Sequence, residues 1–145
     1  GYYHTGNYDR FADGLTERGI YAVYAVVDHQ IMSTDRGSSL NAFFRGGLSP
    51  QDDIATVSSY VEAGLVGRNV FKEDDALGLG TSWTNLSDDF RKSVGGSSSE
   101  TVLELTYQLP VNQWLTIQPD IQYIVNPQGG GDNAFVTGLR AEIAF

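Results

Sequence analysis

Apolar and polar residues alternate along most of the chain, and the closing segment from Ala134 to Phe145 shows the pattern most clearly. Every second residue counted back from Phe145 is largely apolar, whereas the intervening set holds Arg140 and Glu142. Because successive side chains of a β-strand point to opposite faces, a period of two predicts a strand with one apolar and one polar face. The charges fall in mid-strand, so the polar face of this strand must meet water or charged partners.

The same alternation recurs between segments rich in turn-forming residues, and it predicts a partial first strand followed by seven full ones. Short connections predict antiparallel pairing. The predicted strands are 1–5, 19–32, 40–49, 57–66, 75–85, 101–109, 114–125 and 134–145. Residues 6–18 and 86–100 are predicted to be polar loops, and no helix is predicted. Pro119 lacks an N–H group to donate, so a bulge or local break is expected there.

Two properties of these strands favour an outer-membrane barrel over a water-soluble fold. Charged residues stand mid-strand on the polar faces, and burying each in a dry core would cost about several kcal/mol unless it is paired. A water-filled lumen removes this cost. The full strands have about 9 to 14 residues, the length that crosses a bilayer at a tilt. We therefore predict an all-β, antiparallel transmembrane β-barrel, with its longer connections outside the cell if the carboxyl end is periplasmic.

Composition narrows the functions that such a barrel can have. The chain has 145 residues and no cysteine, so a disulfide framework and a cysteine-based zinc site are excluded. Its net charge is −9, which argues against nucleic acid as a partner because phosphate binding needs clustered cations. His4 and His29 lack the spacing of metal ligands. We predict no metal, no cofactor and no enzymatic activity.

Several segments carry a more specific pattern than alternation. They are YHTG at 3–6, YAVYAVVDHQIM at 21–32, DALGLGTSW at 75–83, ETVLELTYQ at 100–108, WLTIQPDIQYIVNP at 114–127 and DNAFVTGLRAEIAF at 132–145. Together they closely resemble, in order, the carbohydrate-selective porin family of OprB type. The resemblance implies a bacterial outer-membrane barrel of about sixteen strands that lets sugars diffuse inward. Residues 1–145 would then be the C-terminal portion of one barrel domain, with the N-terminal strands and the constriction loop absent.

The candidate functional residues are the polar side chains that would line the lumen of this barrel. For passive sugar passage, a wall needs groups that exchange hydrogen bonds with hydroxyls without trapping the ligand. The predicted lumen residues are Asp28, Gln30, Arg45, Tyr60, Glu62, Glu104, Gln108, Gln118, Asp120, Gln122, Arg140 and Glu142. Tyr60 or Phe43 would stack on a sugar ring. The structural alternative is that the charges pair across strands and stiffen the wall, with Arg140 paired to Glu104 or Glu142.

The resemblance also implies partners. Outer-membrane lipid and lipopolysaccharide would surround the barrel, and mono- or oligosaccharides would pass through it. The terminal aromatic Phe145 resembles the signal that the barrel assembly machinery reads. A homotrimer and a monomer both stay open as assemblies.

Two alternatives from other classes remain at this point. A self-contained eight-stranded outer-membrane barrel with a structural or adhesion role fits the chain length, because eight strands can close. Its interior would be underfilled, however, by the inward glycines Gly64, Gly78, Gly80 and Gly138. A soluble, carbohydrate-binding β-sandwich would instead use the apolar faces as its core.

Overall fold

A computed structural model of the protein describes residues 1–144, so the predicted assembly signal Phe145 lies outside the described residues. Within that range the chain forms eight β-strands and one short α-helix. The elements are β1 Tyr2–Asp9, β2 Thr16–Ser33, β3 Ser39–Leu48, β4 Val57–Arg68, β5 Ala76–Leu86, α1 Asp88–Val94, β6 Ser99–Asn112, β7 Leu115–Val125 and β8 Ala134–Ile143, with a 3-10 turn at Pro127–Gly129. Each strand pairs antiparallel with its neighbours in sequence, which gives one sheet in the order β1 to β8.

The sheet is a single layer with an exposed apolar face. Among the described residues, the buried apolar side chains are Ile54, Ala55 and Leu86, and all three lie next to loops. Leu79 and Leu103, which stand mid-strand, are 56% and 49% exposed. A soluble sandwich would bury such residues between two sheets, because large exposed apolar patches mark surfaces that contact a membrane or another protein. The β-sandwich alternative is therefore wrong.

The described residues form an open sheet. β1 pairs only with β2, and β8 pairs only with β7. Over residues 1–144 the sheet is thus not a closed eight-stranded barrel, and the alternative of a self-contained small barrel does not describe it.

The strands are longer than predicted at several ends. β1 runs to Asp9 and β2 begins at Thr16, so the predicted loop 6–18 shortens to residues 10–15. A register shift between His4 and Asn7 interrupts the alternation of faces there, which explains why the pattern failed.

The expected irregularity at Pro119 is present as a local break in the ladder, without a bulge. Pro119 pairs with Leu139 of β8 without a register shift. On its other side, the β6–β7 ladder pairs Thr106 with Asp120 and resumes at Leu109 with Ile117 in the same register. Because proline cannot donate a hydrogen bond, the interruption falls where Pro119 would face β6.

The two ends of the sheet differ, and we call them the loop end and the turn end. The loop end carries residues 10–15, 49–56, 87–98 and 126–133, whereas the turn end carries 34–38, 69–75 and 113–114. The α1 helix belongs to the loop end and was not predicted from the sequence. No helix in residues 1–144 is long and apolar enough to cross a membrane.

Candidate functional site

The pairing register arranges side chains in rows across one face of the sheet, which we call the polar face. One row runs from strand to strand through Asp28, Phe43, Gly64, Gly80, Glu104 and Gln122. The adjacent row on its loop-end side contains Arg45, Glu62, Ser82 and Val102. All twelve predicted lumen residues lie on this face. Each either belongs to one of these rows or lies an even number of residues from a row member on its strand. The sequence pattern therefore assigned the two faces of each strand consistently.

Several polar-face residues are joined across or along strands. A guanidinium nitrogen of Arg45 lies 3.7 Å from a carboxylate oxygen of Glu62. The Gln122 side-chain amide donates to Glu104 Oε2 at 3.1 Å. Such links hold the carboxylates in place, while acceptor positions on each carboxylate stay open to water or to another donor.

Further pairs lie nearer the turn end of the same face. The Gln118 side-chain amide donates to Thr106 Oγ1 at 3.0 Å. Arg140 Nη2 donates to Glu142 Oε2 at 3.2 Å, which confirms one of the two pairings expected for Arg140. Both side chains of that pair are about two-thirds exposed, at 69% and 64%, so the pair contributes little stability.

Large side chains of the polar face lie flat over glycines of the paired strand. A Cβ built on Gly64 would stand 2.6 Å from the Phe43 ring, and one built on Gly47 would stand 2.6 Å from the Tyr60 ring. Phe43 is the registered partner of Gly64, and Tyr60 is that of Gly47.

The same arrangement recurs at Gly78, covered by Thr106, and at Gly138, covered by Asp120. These are again registered cross-strand pairs. Residues that would otherwise project from the sheet therefore lie along it. Three of the four glycines predicted to leave space, Gly64, Gly78 and Gly138, instead receive a neighbour's side chain, whereas Gly80 stays open.

The Phe43 ring contacts a glycine backbone and a cation. One face rests on Gly64, and the Arg45 guanidinium carbon lies 4.8 Å from the ring centroid on a cation–π contact. Phe43 therefore supports Arg45, and a sugar stacked on Phe43 would compete with this cation–π contact. The sequence could not reveal this support, because it depends on the β3–β4 register.

The loops of the loop end pack on one another. The backbone N–H of Phe11 donates to Asp53 O at 2.9 Å, and the rings of Phe11 and Phe90 meet edge to face at 5.3 Å. Arg10 lies between loops, 3.7 Å from a carboxylate oxygen of Asp53 and 3.9 Å from one of Glu17. Three connections are thereby joined above the polar face.

The turn end is organised by a buried carboxylate, Asp75, which is 1% exposed. It accepts hydrogen bonds from the backbone N–H groups of Val70, Phe71 and Lys72 at 2.6, 3.0 and 2.9 Å, and from Tyr107 Oη at 2.7 Å. Burial by itself raises the pKa of Asp75, but these four hydrogen bonds outweigh burial, and the pKa lies below its ordinary value of 3.8.

A single antiparallel sheet with an apolar face, a polar face, short turns at one end and longer loops at the other is the wall of an outer-membrane β-barrel porin. The family described as "Carbohydrate-selective porin, OprB family" matches residues 1–145, and the chain belongs to it. Membership of this family places the chain in the outer membrane of a Gram-negative bacterium.

Two similar proteins support this assignment. Porin B of Pseudomonas aeruginosa is 28% identical in an alignment that covers 84% of this chain and 32% of that protein. The high-pH structure of Pseudomonas putida OprB superimposes with a TM-score of 0.86 at 23% identity, over 99% of this chain and 43% of that chain. The chain thus spans less than half the length of either relative.

Proposed function

We propose that this chain forms part of the wall of a water-filled outer-membrane channel through which sugars diffuse passively. The observation that carries the proposal is the division of the sheet: all the predicted lumen residues share one face, and most exposed apolar side chains of the strands lie on the other. Tyr24, Val26 and Val136 are exposed apolar residues of the polar face. Lipid would cover the apolar face, since no water-soluble element does so among the described residues. Sugars and water would move along the polar face.

The chemistry of the polar face suits passage rather than capture. Gln108, Gln118 and Gln122 offer amides that both donate and accept, whereas Glu62 and Glu104 offer acceptors. Such groups exchange hydrogen bonds with hydroxyls at small net cost, because water competes for every one of them. In this proposal the wall performs no covalent chemistry, so the protein acts as a channel and not as an enzyme.

We further propose that the chain is the C-terminal portion of a longer barrel of about sixteen strands. The unpaired outer edges of β1 and β8 support this reading, since exposed strand edges are normally paired or protected. The loop end would face the cell exterior and lipopolysaccharide, with the turn end in the periplasm. Phe145 would be read by the barrel assembly machinery, and the intact barrel would function as a monomer or homotrimer.

The test is to purify the intact protein from outer membranes and record it in planar lipid bilayers. We expect stable open channels whose ion current falls when glucose or a maltooligosaccharide is added, and a mass well above the 15.8 kDa of this chain. Absence of conductance would contradict the channel. Conductance that is indifferent to sugars would contradict the substrate class while leaving the channel intact.

A further inference from the structure

The middle of the polar face contains a concavity formed by residues of several adjacent strands. It has a volume of about 170 Å³, and most of its lining comes from polar-face positions of β4, β5 and β6. Its floor is open at Gly80 of β5, which has no side chain, whereas the Thr106 methyl group covers the neighbouring Gly78. We call it the wall pocket. Pockets for drug-sized ligands have volumes of about 300–1,000 Å³, so the smaller wall pocket has room for one small ring.

Two carboxylates stand on opposite sides of the wall pocket. Glu62 belongs to β4 and Glu104 to β6, one row nearer the turn end, so two strand spacings and an offset of two residues place their backbones roughly 12 Å apart. Ser82 of β5 lies beside the floor in the same row as Glu62 and adds a hydroxyl. The pocket thus has hydrogen-bond acceptors on two sides of an open glycine floor, and apolar side chains such as Val66 and Val102 form much of the rest of its lining.

Both carboxylates are held from outside the wall pocket. Arg45, on the far side of Glu62, lies 3.7 Å from it, and Gln122, on the far side of Glu104, donates to it at 3.1 Å. Each carboxylate has about four acceptor positions, and one outer partner uses only part of them. The remaining positions can accept hydrogen bonds from a ligand on the floor.

The third side of the wall pocket is the Phe43 side chain. Its ring lies over Gly64, and its Cζ would stand 3.7 Å from a Cβ on Gly80, so the ring edge borders the floor. The floor thus has an aromatic edge on one side and carboxylates on two others. A polyhydroxylated ring fits this arrangement, because the carboxylates can accept hydrogen bonds from its hydroxyl groups. The carboxylates disfavour an anionic ligand at the same place, because like charges repel.

We propose that the wall pocket is a weak binding subsite for one neutral pyranose ring, with Glu62 and Glu104 accepting hydrogen bonds from its hydroxyls. The inference rests on the proposed function and deepens it by naming the place on the wall where the passing sugar pauses. An open floor keeps the sugar in contact with water, so the subsite guides the sugar without trapping it.

The sharpest test fills the floor without disturbing the wall. In Gly80→Ala the new methyl group meets nothing closer than 3.7 Å, an ordinary contact, yet it projects into the wall pocket. Gly46→Ala is the matched control, because its methyl projects from the apolar face of β3 with a nearest contact of 3.4 Å. Both variants are made in the intact channel, and the glucose concentration that halves the ion current is measured in planar bilayers.

We expect Gly80→Ala to raise the half-blocking glucose concentration by about three- to tenfold, since the ring can no longer reach both carboxylates. Gly46→Ala should block like the unmodified channel. Equal block in all three proteins would overturn the subsite, as would an equal loss of block in both variants.

Glu104→Gln provides a second test of the subsite, and its outcome does not depend on packing. It keeps the shape of the side chain and removes its charge, so glucose block should weaken while block by glucuronate strengthens. Glu73→Gln, in the exposed turn 69–75, is the matched control and should change neither. Unchanged preference in Glu104→Gln would contradict the assignment of Glu104. If the unmodified channel shows no sugar block, the proposed function fails instead, so the two failures are distinguishable.

Discussion

Asp75 has the least exposed carboxylate among residues 1–144, and its environment explains how a charge is kept next to the membrane. The turn 69–75 curls so that three consecutive backbone N–H groups point at one carboxylate. Tyr107, on β6, donates a hydrogen bond from its hydroxyl group to the same carboxylate. The turn between β4 and β5 is thereby attached to the next strand, β6. The ionised form satisfies all four donors at once.

This arrangement predicts acid sensitivity with a definite sign. The folded pKa of Asp75 is depressed, so its stabilising contribution is complete above the unfolded pKa of about 3.9 and is lost as pH falls through the folded pKa. We expect Asp75→Asn to lower the melting temperature of the barrel in detergent at neutral pH, because the amide cannot accept from every donor. The gap between variant and unmodified protein should narrow below about pH 4.

Asp74→Asn is the control for this measurement. Asp74 is the neighbouring exposed acid, and its φ of 62° suits asparagine equally well. It should leave both the melting temperature and its acid dependence unchanged. A gap for Asp75→Asn that stays constant from neutral pH to about pH 3 would contradict the role assigned to the ionised carboxylate.

Single residues also show where sequence reasoning reaches its limit. Alternation placed Glu62, Glu104 and Arg140 on one common face, as the strand pairing does, because a period of two is a local property of the strand. The covering of Gly64 by Phe43 depends on which residue of β3 stands opposite it, and register is a property of two strands together. The wall pocket follows from register as well, so the sequence alone could not indicate it.

At the scale of elements, the loop end holds the α1 helix that the sequence analysis missed. Seven residues are too few to show a helical period, but Ser87 followed by Asp88 and Asp89 is an N-terminal signal that could have found it. Ser87 is fully buried, accepts from Phe90 N–H at 3.4 Å, and donates its own N–H to Thr56 O at 3.0 Å. It therefore fixes the helix start to the β3–β4 connection.

Removing this cap should loosen the helix without disturbing the strands. Capping serines contribute about 0.5–2 kcal/mol, so Ser87→Ala should speed amide hydrogen exchange at Arg91 and Gly95 by about 2- to 30-fold. These amides bond to Ser87 O and Arg91 O, respectively, and so report the helical turns directly. Strand amides should exchange at the unmodified rate.

The matched variant lies at the other end of the same helix. Ser93→Ala removes a hydroxyl that bonds only Phe90 O within the helix, and alanine favours helical backbone. Exchange should stay constant or slow slightly. Equal acceleration in both variants would mean that the hydroxyls matter generally and that Ser87 is not a specific cap.

At the scale of the whole molecule, residues 1–144 bury few apolar side chains, and in the proposed channel the two faces of the sheet would meet lipid and water. Pairing between the strands satisfies backbone N–H and C=O groups, as a membrane requires. On the outer edges of β1 and β8 these groups have no strand partner within residues 1–144. Between loop end and turn end, the charged side chains of β3 to β8 are confined to the polar face, whereas apolar ones predominate on the other face. The stability of this protein should accordingly depend on which solvent each face meets, more than on contacts between its own side chains.

Adjacent residues in mid-strand test that division directly. Val102 and Leu103 are consecutive on β6 and point to opposite faces, with Ser82 and Thr81 as their partners on β5. A lysine on the lipid face at mid-depth costs about 2–4 kcal/mol. Leu103→Lys should therefore lower the unfolding free energy by that amount in denaturant titrations of the intact protein in phospholipid vesicles. Val102→Lys should lower it by less than about 1 kcal/mol, because the ammonium group reaches water in the lumen. Equal costs would mean that both faces meet the same medium, and the division of the sheet would no longer support a channel.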